Sequence, residues 1–450
     1  MANPQDIIRK NTVVVDDGSG VILQPMTKEY SYVVTAKHVI QNDKDDVSKG
    51  FKSLENISIY TVSDSKLKPV DFIYHPVLDL AIIKIDYHHS NIQVFDGHLQ
   101  RDDRIELWGF PNYNSEKHRN NSVSKDKWLE CYVANVVKST DELIESAPTE
   151  NPEITGLQGF SGGGQWILKG NKAFLCTIEY KVTTPDSYVN RLCAISAKRI
   201  SQLLQLNDWQ IIKPVYFACF KELESEVFDS LEFQTENNRK KFINTLAMHS
   251  NNKAEPKEFS PLHLIQKTNG FVNTIMKDPN SLDNKRIWIS VLEFLQTYEI
   301  LSPQNSWDNE FIEYLSCRYK FLYLGNESWR KNINSIVLFD CEDLNEGGML
   351  VLLQDKENRI FPDTPDYISK YVNPEKLLRN IADSMNDPQS IARANSNNLK
   401  GLKIIHMKML HEFHIDDLEE NLEPLTMLSD GDQIKKLLVD RYSEYIKHNE

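Results

Sequence analysis

Three side chains able to do acid–base or nucleophilic chemistry occur in a telling order: His38 in YVVTAKHVI, Asp79 in HPVLDLAIIKI and Ser161 in GLQGFSGGGQW. A serine hydroxyl is a poor nucleophile at neutral pH. It needs an imidazole to take its proton, and a carboxylate to hold that imidazole in the right tautomer. His38 is suited to the first role and Asp79 to the second. Asp79 lies between apolar neighbours, where an unpartnered carboxylate is costly and an imidazolium resolves the cost. The glycines around Ser161 permit a tight turn and a close approach by another backbone. Taken singly, a histidine after a strand is more often structural, an aspartate can cap a strand end, and a serine can sit in any glycine-rich turn. The ordered combination outweighs those separate readings.

The elements that must position these residues are short strands. Thr12–Val15, Gly20–Leu23, Tyr30–Thr35, Ile57–Val62, Leu80–Ile85, Arg104–Trp108, Leu129–Val137, Gln165–Leu168, Phe174–Tyr180 and Arg191–Ile195 carry strand composition and are separated by turn residues. The strand run Tyr32–Val34 ends on Thr35-Ala36, which delivers His38 to a strand end. Asn112–Lys127 is read as a surface loop, and Asp141–Gln158 as a polar lead into the serine turn. The segment Ala197–Leu204 has helical spacing.

The order His, Asp, Ser resembles the chymotrypsin-fold serine proteases, and the flanks are most similar to trypsin-like proteases of the HtrA type. Gly18-Ser19-Gly20 matches the GSG that opens an early strand in those enzymes, and Leu107-Trp108-Gly109-Phe110-Pro111 matches a strand end of theirs. The resemblance implies an all-β double barrel and a serine endopeptidase mechanism, with an oxyanion hole formed by the amides of Gly159 and Ser161. It makes His75 part of the HPxxDLA flank rather than a competing base. It also maps the primary pocket to Thr155 at the floor and Ile178, Glu179 and Tyr180 on the wall strand. A floor threonine offers no charge and strand alternation turns Glu179 outward, so the expected preference is for an uncharged residue before the scissile bond; an inward-facing Glu179 would instead attract a basic side chain. Phe160 departs from the family, where aspartate or asparagine precedes the serine. It leaves open how the oxyanion loop is held.

At 450 residues the chain exceeds one core. The expected division is a trypsin-like domain at 1–210 and a mostly helical interaction or regulatory region at 211–450, with a possible sub-boundary near 305. Helical spacing marks Leu223–Phe233, Asn238–Met248, Leu262–Ile275, Asn284–Tyr298, Pro374–Met385, Lys403–Glu412 and Gly431–Lys447, with strands at Ile333–Phe339 and Met349–Leu353. His406, His411, His414, Asp416 and Asp417 lack metal-site spacing and read as a solvated helix end, so neither metal nor cofactor is expected. The net charge of −14 argues against binding nucleic acid or an anionic membrane. The N-terminus lacks signal-peptide patterning and no run is long enough to span a bilayer, which predicts a cytoplasmic protein with its six cysteines reduced.

Trypsin-like domains joined to helical regions resemble effectors of bacterial conflict systems controlled by a sensor ATPase or adaptor. The Ile287–Leu295 helix and the Leu322–Trp329 region are similar to C-terminal modules of ABC-three component systems. These resemblances imply a regulated protease in antiviral defence that cuts a specific cytosolic protein. The alternatives are a peptide-binding scaffold of protease fold, and a housekeeping quality-control protease. The absence of a recognisable PDZ-like module disfavours the housekeeping reading.

Overall fold

The structure is a computed structural model, and it describes residues 3–44, 46–111, 129–150, 157–170, 172–183, 190–250, 253–254, 259–268, 270–278, 280–327, 329–345, 347–355 and 402–446. It divides into two compact units, Met1–Val215 and Tyr216–Glu450.

The first unit contains two seven-stranded sheets. One uses β1 (Thr12–Val15), β2 (Gly18–Leu23), β3 (Tyr30–Thr35), β4 (Ile59–Tyr60), β5 (Lys66–Leu67), β6 (Pro69–Tyr74) and β7 (Ala81–Asp86), in the order β5-β4-β1-β2-β3-β7-β6. The other uses β8 (Gln93–Val94), β9 (Arg104–Gly109), β10 (Glu130–Ser139), β11 (Leu143–Pro148), β12 (Gly164–Lys169), β13 (Lys172–Thr183) and β14 (Arg191–Ser196). Pairing of β12 with β13 closes it into a barrel.

Strand alternation builds three apolar layers. Val33, Ile83 and Ile85 point into the first barrel with Val13, Val15 and Ile22. Their neighbours Tyr32, Val34 and Ile82 point the other way, against Trp166, Leu175, Ile178 and Ile195 of the second barrel, and form the seam between the two. Ile105, Leu107, Val136 and Phe174 fill the second barrel. The helix Lys198–Leu206 closes the unit by burying Ile200, Leu203 and Leu204 in the seam.

The chain after this helix still belongs to the barrels. Trp209 stacks on Tyr32 with ring centroids 5.4 Å apart, and the Tyr32 hydroxyl donates to the Gln210 carbonyl at 3.1 Å. Ile212 is buried in the seam. The compact unit therefore runs a few residues past 210. The segment expected to be a polar lead, Asp141–Gln158, contains β11, paired with β10 and β14.

The second unit is mostly helical but is organised on a sheet. Strands β15 (Val272–Thr274), β16 (Tyr319–Tyr323), β17 (Met349–Leu353) and β18 (Lys403–His406) are parallel and adjacent in sequence order. Helices Glu236–Ser250, Lys285–Leu301, Met407–Leu422 and Gly431–Ile446 accompany it.

Several expectations are corrected here. Ile333–Val337 is a helix, not a strand. Lys403–His406 is a strand that hands over to a helix at Met407. Within Leu262–Ile275 a short helix, Pro261–Lys267, is followed by β15. The anticipated helix Leu223–Phe233 is a 3-10 segment, Phe220–Glu226. The expected helix Pro374–Met385 and loop Asn112–Lys127 lie in parts of the chain outside the described residues.

Of the residues expected at a solvated helix end, His406 and His411 are interior, while Asp417 is half-exposed and paired with Arg441. His406 is fully buried with Nε2 2.7 Å from Gln354 Oε1, and His411 Nδ1 lies 2.9 Å from the Tyr442 hydroxyl. Burial lowers the His406 pKa to about 3, so the ring is neutral and structural. No described helix is long and apolar enough to cross a membrane.

Candidate active site

The β3–β7 ladder places the first two residues. Thr35 faces Ala81 at its end, so the 3-10 turn Lys37–Ile40 and the residue pair Asp79-Leu80 meet at one edge of the sheet. Asp79 then makes two bonds to one residue. Its Oδ2 lies 2.6 Å from His38 Nδ1, and its Oδ1 accepts the His38 backbone N–H at 2.9 Å. This fixes both the ring and its backbone, and assigns the Nδ1 proton to the carboxylate side. Nε2 is left as the basic nitrogen.

His75 prepares the Asp79 loop. Its Nδ1 accepts the backbone N–H groups of Val77 and Leu78 at 3.2 and 2.9 Å. Partial burial, then the nearby Lys37 and Arg199 charges, lower its pKa and keep it in the neutral, accepting form. It caps the turn that leads to Asp79.

Ser161 lies in the turn between Leu157 and β12. That turn is held from both barrels. From the first, the Ser19 hydroxyl donates to the Gly159 carbonyl at 2.8 Å and accepts the Phe110 N–H at 2.9 Å, while the Ser19 N–H donates to the Ser161 carbonyl at 2.8 Å. From the second, Gly162 N–H donates to the Glu179 carbonyl at 2.7 Å, and Glu179 N–H to the Gly163 carbonyl at 2.9 Å.

Two glycines make the approach possible. Gly162 has φ +90°, and a Cβ there would strike the Ser19 carbonyl and the Thr35 hydroxyl. A Cβ on Gly18 would meet the Val39 side chain at 2.7 Å and the Ser161 carbonyl at 2.8 Å. The serine turn and the His38 turn are thus neighbours across Gly18. Among the described residues no hydrogen bond joins Ser161 Oγ to His38, and the Gly159 and Ser161 amides have no acceptor. A nucleophile–base bond that tightens only with substrate is ordinary in empty sites.

Phe160 answers how the loop is held. It is fully buried in the second barrel with Leu107, Leu157 and Phe174, its ring centroid 5.5 Å from that of Tyr132. An apolar anchor stands where the sequence resemblance leads us to expect a polar residue.

Of the pocket residues, Ile178 is buried in the seam and Tyr180 is half-buried beside it. Thr155 lies outside the described residues. Glu179 corrects the sequence reading: its side chain is 1% exposed and points inward.

Ser19 is the residue whose role sequence reasoning missed, although the GSG motif signalled its place. Ser19→Ala leaves the Gly159 carbonyl and Phe110 N–H unpaired in the interior, at about 1–3 kcal/mol each. The expected result is a drop in kcat of about tenfold or more with little change in KM. An unchanged kcat would show that the loop is positioned without this hydroxyl.

The double barrel is the trypsin-like architecture that the motifs imply, followed by a helical region. The remainder of the chain has a recognisable relationship of its own. Residues 194–415 match the family described as C-terminal domain 4 of the ABC-three component systems. The CTD4 match spans just under half the chain; it begins within β14 and ends within the helix Met407–Leu422. No curated protein matches the chain. Among solved structures it is similar to Rv3671c from M. tuberculosis, a serine-to-alanine mutant in an inactive form. The identity is 13%, with 45% of this chain and 88% of that one covered and a TM-score of 0.32.

Proposed function

We propose that the chain is a serine endopeptidase in which Ser161 attacks the scissile carbonyl. His38 Nε2 takes the serine proton and later gives it to the leaving amine, and Asp79 orients the ring and stabilises its charged form. The Gly159 and Ser161 amides receive the oxyanion. The observation that carries this reading is the two-bond grip of Asp79 on His38 beside a serine turn tied down by Ser19. The burial of Phe160 as an apolar anchor of the serine turn supports this reading over a non-cleaving scaffold.

The CTD4 match supports a defence setting with several components. In this reading a partner protein, a sensor ATPase or an adaptor, binds within 211–450 and raises the population of the competent oxyanion loop. A free-energy bias of a few kcal/mol suffices for that. The substrate is a specific cytosolic protein.

One experiment tests both parts. The full chain is treated with a fluorophosphonate probe, alone and with components recovered from its native cell, and the modified residue is mapped by mass spectrometry. Labelling at Ser161, faster with the partners present, is expected. A folded chain that never labels at Ser161 sinks the protease reading. An equal rate with and without partners sinks the regulatory one.

A further inference from the structure

Glu179 is out of place in the chemistry described so far. Its carboxyl is buried in the second barrel, and among the described residues neither oxygen has a hydrogen-bond partner. The nearby buried polar side chains are satisfied by one another. Thr177 donates to Gln165 Oε1 at 2.7 Å, and Gln165 Nε2 donates to the Ser146 hydroxyl at 3.3 Å. An unsatisfied buried carboxyl is costly and needs an explanation.

Its position supplies one. Glu179 is the residue whose backbone brackets Gly162 and Gly163, immediately after the nucleophile, and Ala194, a small residue, faces it across β14. A substrate whose carbonyl carbon rests on Ser161 must project the adjoining side chain beside this turn. Of the three wall residues, Ile178 is committed to the seam and Tyr180 is uncharged, so only Glu179 offers a charge to that side chain.

We propose that Glu179 is the specificity-determining acid of the primary pocket, selecting lysine or arginine before the scissile bond. The proposal rests on the protease reading above and names the substrate class of that site.

The surroundings fit a carboxyl that waits for a cation. Burial, then the Asp79 charge, pushes its pKa up to about 8, and the Lys181 amide pulls the other way without reaching hydrogen-bond geometry. The other titratable groups in electrostatic reach are Tyr180 on the same strand and Cys193 on β14. The Tyr180 and Cys193 pKa values are themselves raised by burial, so both stay neutral at pH 7. Glu145 on β11 adds a second negative neighbour to those two. At pH 7 the free carboxyl is therefore mostly protonated. When an ammonium or guanidinium enters, the Glu179 proton leaves to solvent and a carboxylate–cation pair remains. Cation affinity should rise about tenfold per pH unit below pH 8 and level off above it. A neutral side chain of similar shape gains nothing from pH.

The test uses the full chain and its E179Q variant. Butylguanidinium and the neutral butylurea are titrated at pH 6, 7, 8 and 9, with binding read by NMR. Lysine, arginine and norleucine peptide substrates are compared in parallel, and fluorophosphonate labelling of Ser161 is followed separately. The expected result is butylguanidinium binding that strengthens with pH to about 8 and is lost in E179Q. A preference for basic over norleucine peptides of at least about hundredfold should collapse in the variant. Wild-type binding of butylguanidinium no tighter than butylurea, or a basic preference unaltered in E179Q, overturns the proposal. If the cation binds as described but Ser161 never labels, the acidic pocket stands and the protease reading is what fails.

Discussion

Ser161→Ala and His38→Ala are each expected to lower turnover about a millionfold, because nucleophile and base act as one unit and removing either removes the acyl-enzyme route. Asp79→Asn should cost somewhat less, about ten-thousandfold. It keeps the shape of the site, but an amide no longer fixes the Nδ1–H tautomer that Asp79 imposes at 2.6 Å. The two-bond grip makes a further distinction. Asp79→Ala also releases the His38 backbone N–H, held at 2.9 Å, so it should disorder the His38 turn as well as its ring. The measurement is kcat/KM on a cleavable peptide, with near-UV circular dichroism to establish folding. Cleavage by a well-folded Ser161→Ala protein at more than about a thousandth of the wild-type rate is incompatible with this assignment.

Phe160→Ala is expected to destabilise the catalytic unit by about 3–5 kcal/mol, the range for removing a buried phenylalanine from a packed core. Phe160 is fully buried against Leu107, Leu157 and Phe174, with the Tyr132 ring 5.5 Å away. Activity should fall even under conditions where the variant remains folded. The side chain is the second-barrel anchor of the turn that carries Gly159 and Ser161, and its loss leaves that turn held by hydrogen bonds alone. Chemical denaturation with a probe confined to the first unit gives the stability change, and active-site titration of the folded fraction gives the second effect. A cost below about 1 kcal/mol would mean that the loop is held elsewhere.

The barrels were legible in sequence, and the candidate residues His38, Asp79 and Ser161 were picked out, because their signals are local. The run Tyr30–Thr35 alternates between two apolar layers, and Val33 and Val34 feed different cores from adjacent positions. Glu179 escaped because alternation fails where the ladder slips. The pairing of β13 with β12 shifts between Gln165 and Trp166, and its pairing with β14 shifts between Glu179 and Lys181. Only the first of these slips precedes Glu179 and reverses the face on which it falls, and β13 is buried on both faces from Ala173 to Glu179. Counting by twos along Phe174–Tyr180 therefore turned a buried carboxyl outward.

The parallel sheet of the second unit was obscured for a different reason. Met349–Leu353 reads as a strand, but its partners do not: β15, β16 and β18 are 3, 5 and 4 residues long, and KIIH shows continuous apolar character without a period of two. KIIH runs directly into a helix, and the two read together as one helical segment. The contacts that carry the first unit past 210 follow its closing helix: Trp209 stacks on Tyr32 and Ile212 is buried in the seam. Their stacking and burial against Tyr32 and the seam are long-range contacts with no local mark.

His38 and Asp79 hang from one barrel and Ser161 from the other, joined across the layer built from Val34, Ile82, Trp166 and Ile178. The reacting distance is therefore a property of cohesion between two bodies, and neither body possesses it alone. Dilute denaturant or mild warming that lubricates this layer would silence the chain while every strand stays paired. Turnover would fade at lower stress than the far-ultraviolet signal. The same arrangement offers an economical means of control. A force applied anywhere on the outside of the unit can act as a throttle if it slides one barrel against the other, and the cleft itself need never be covered.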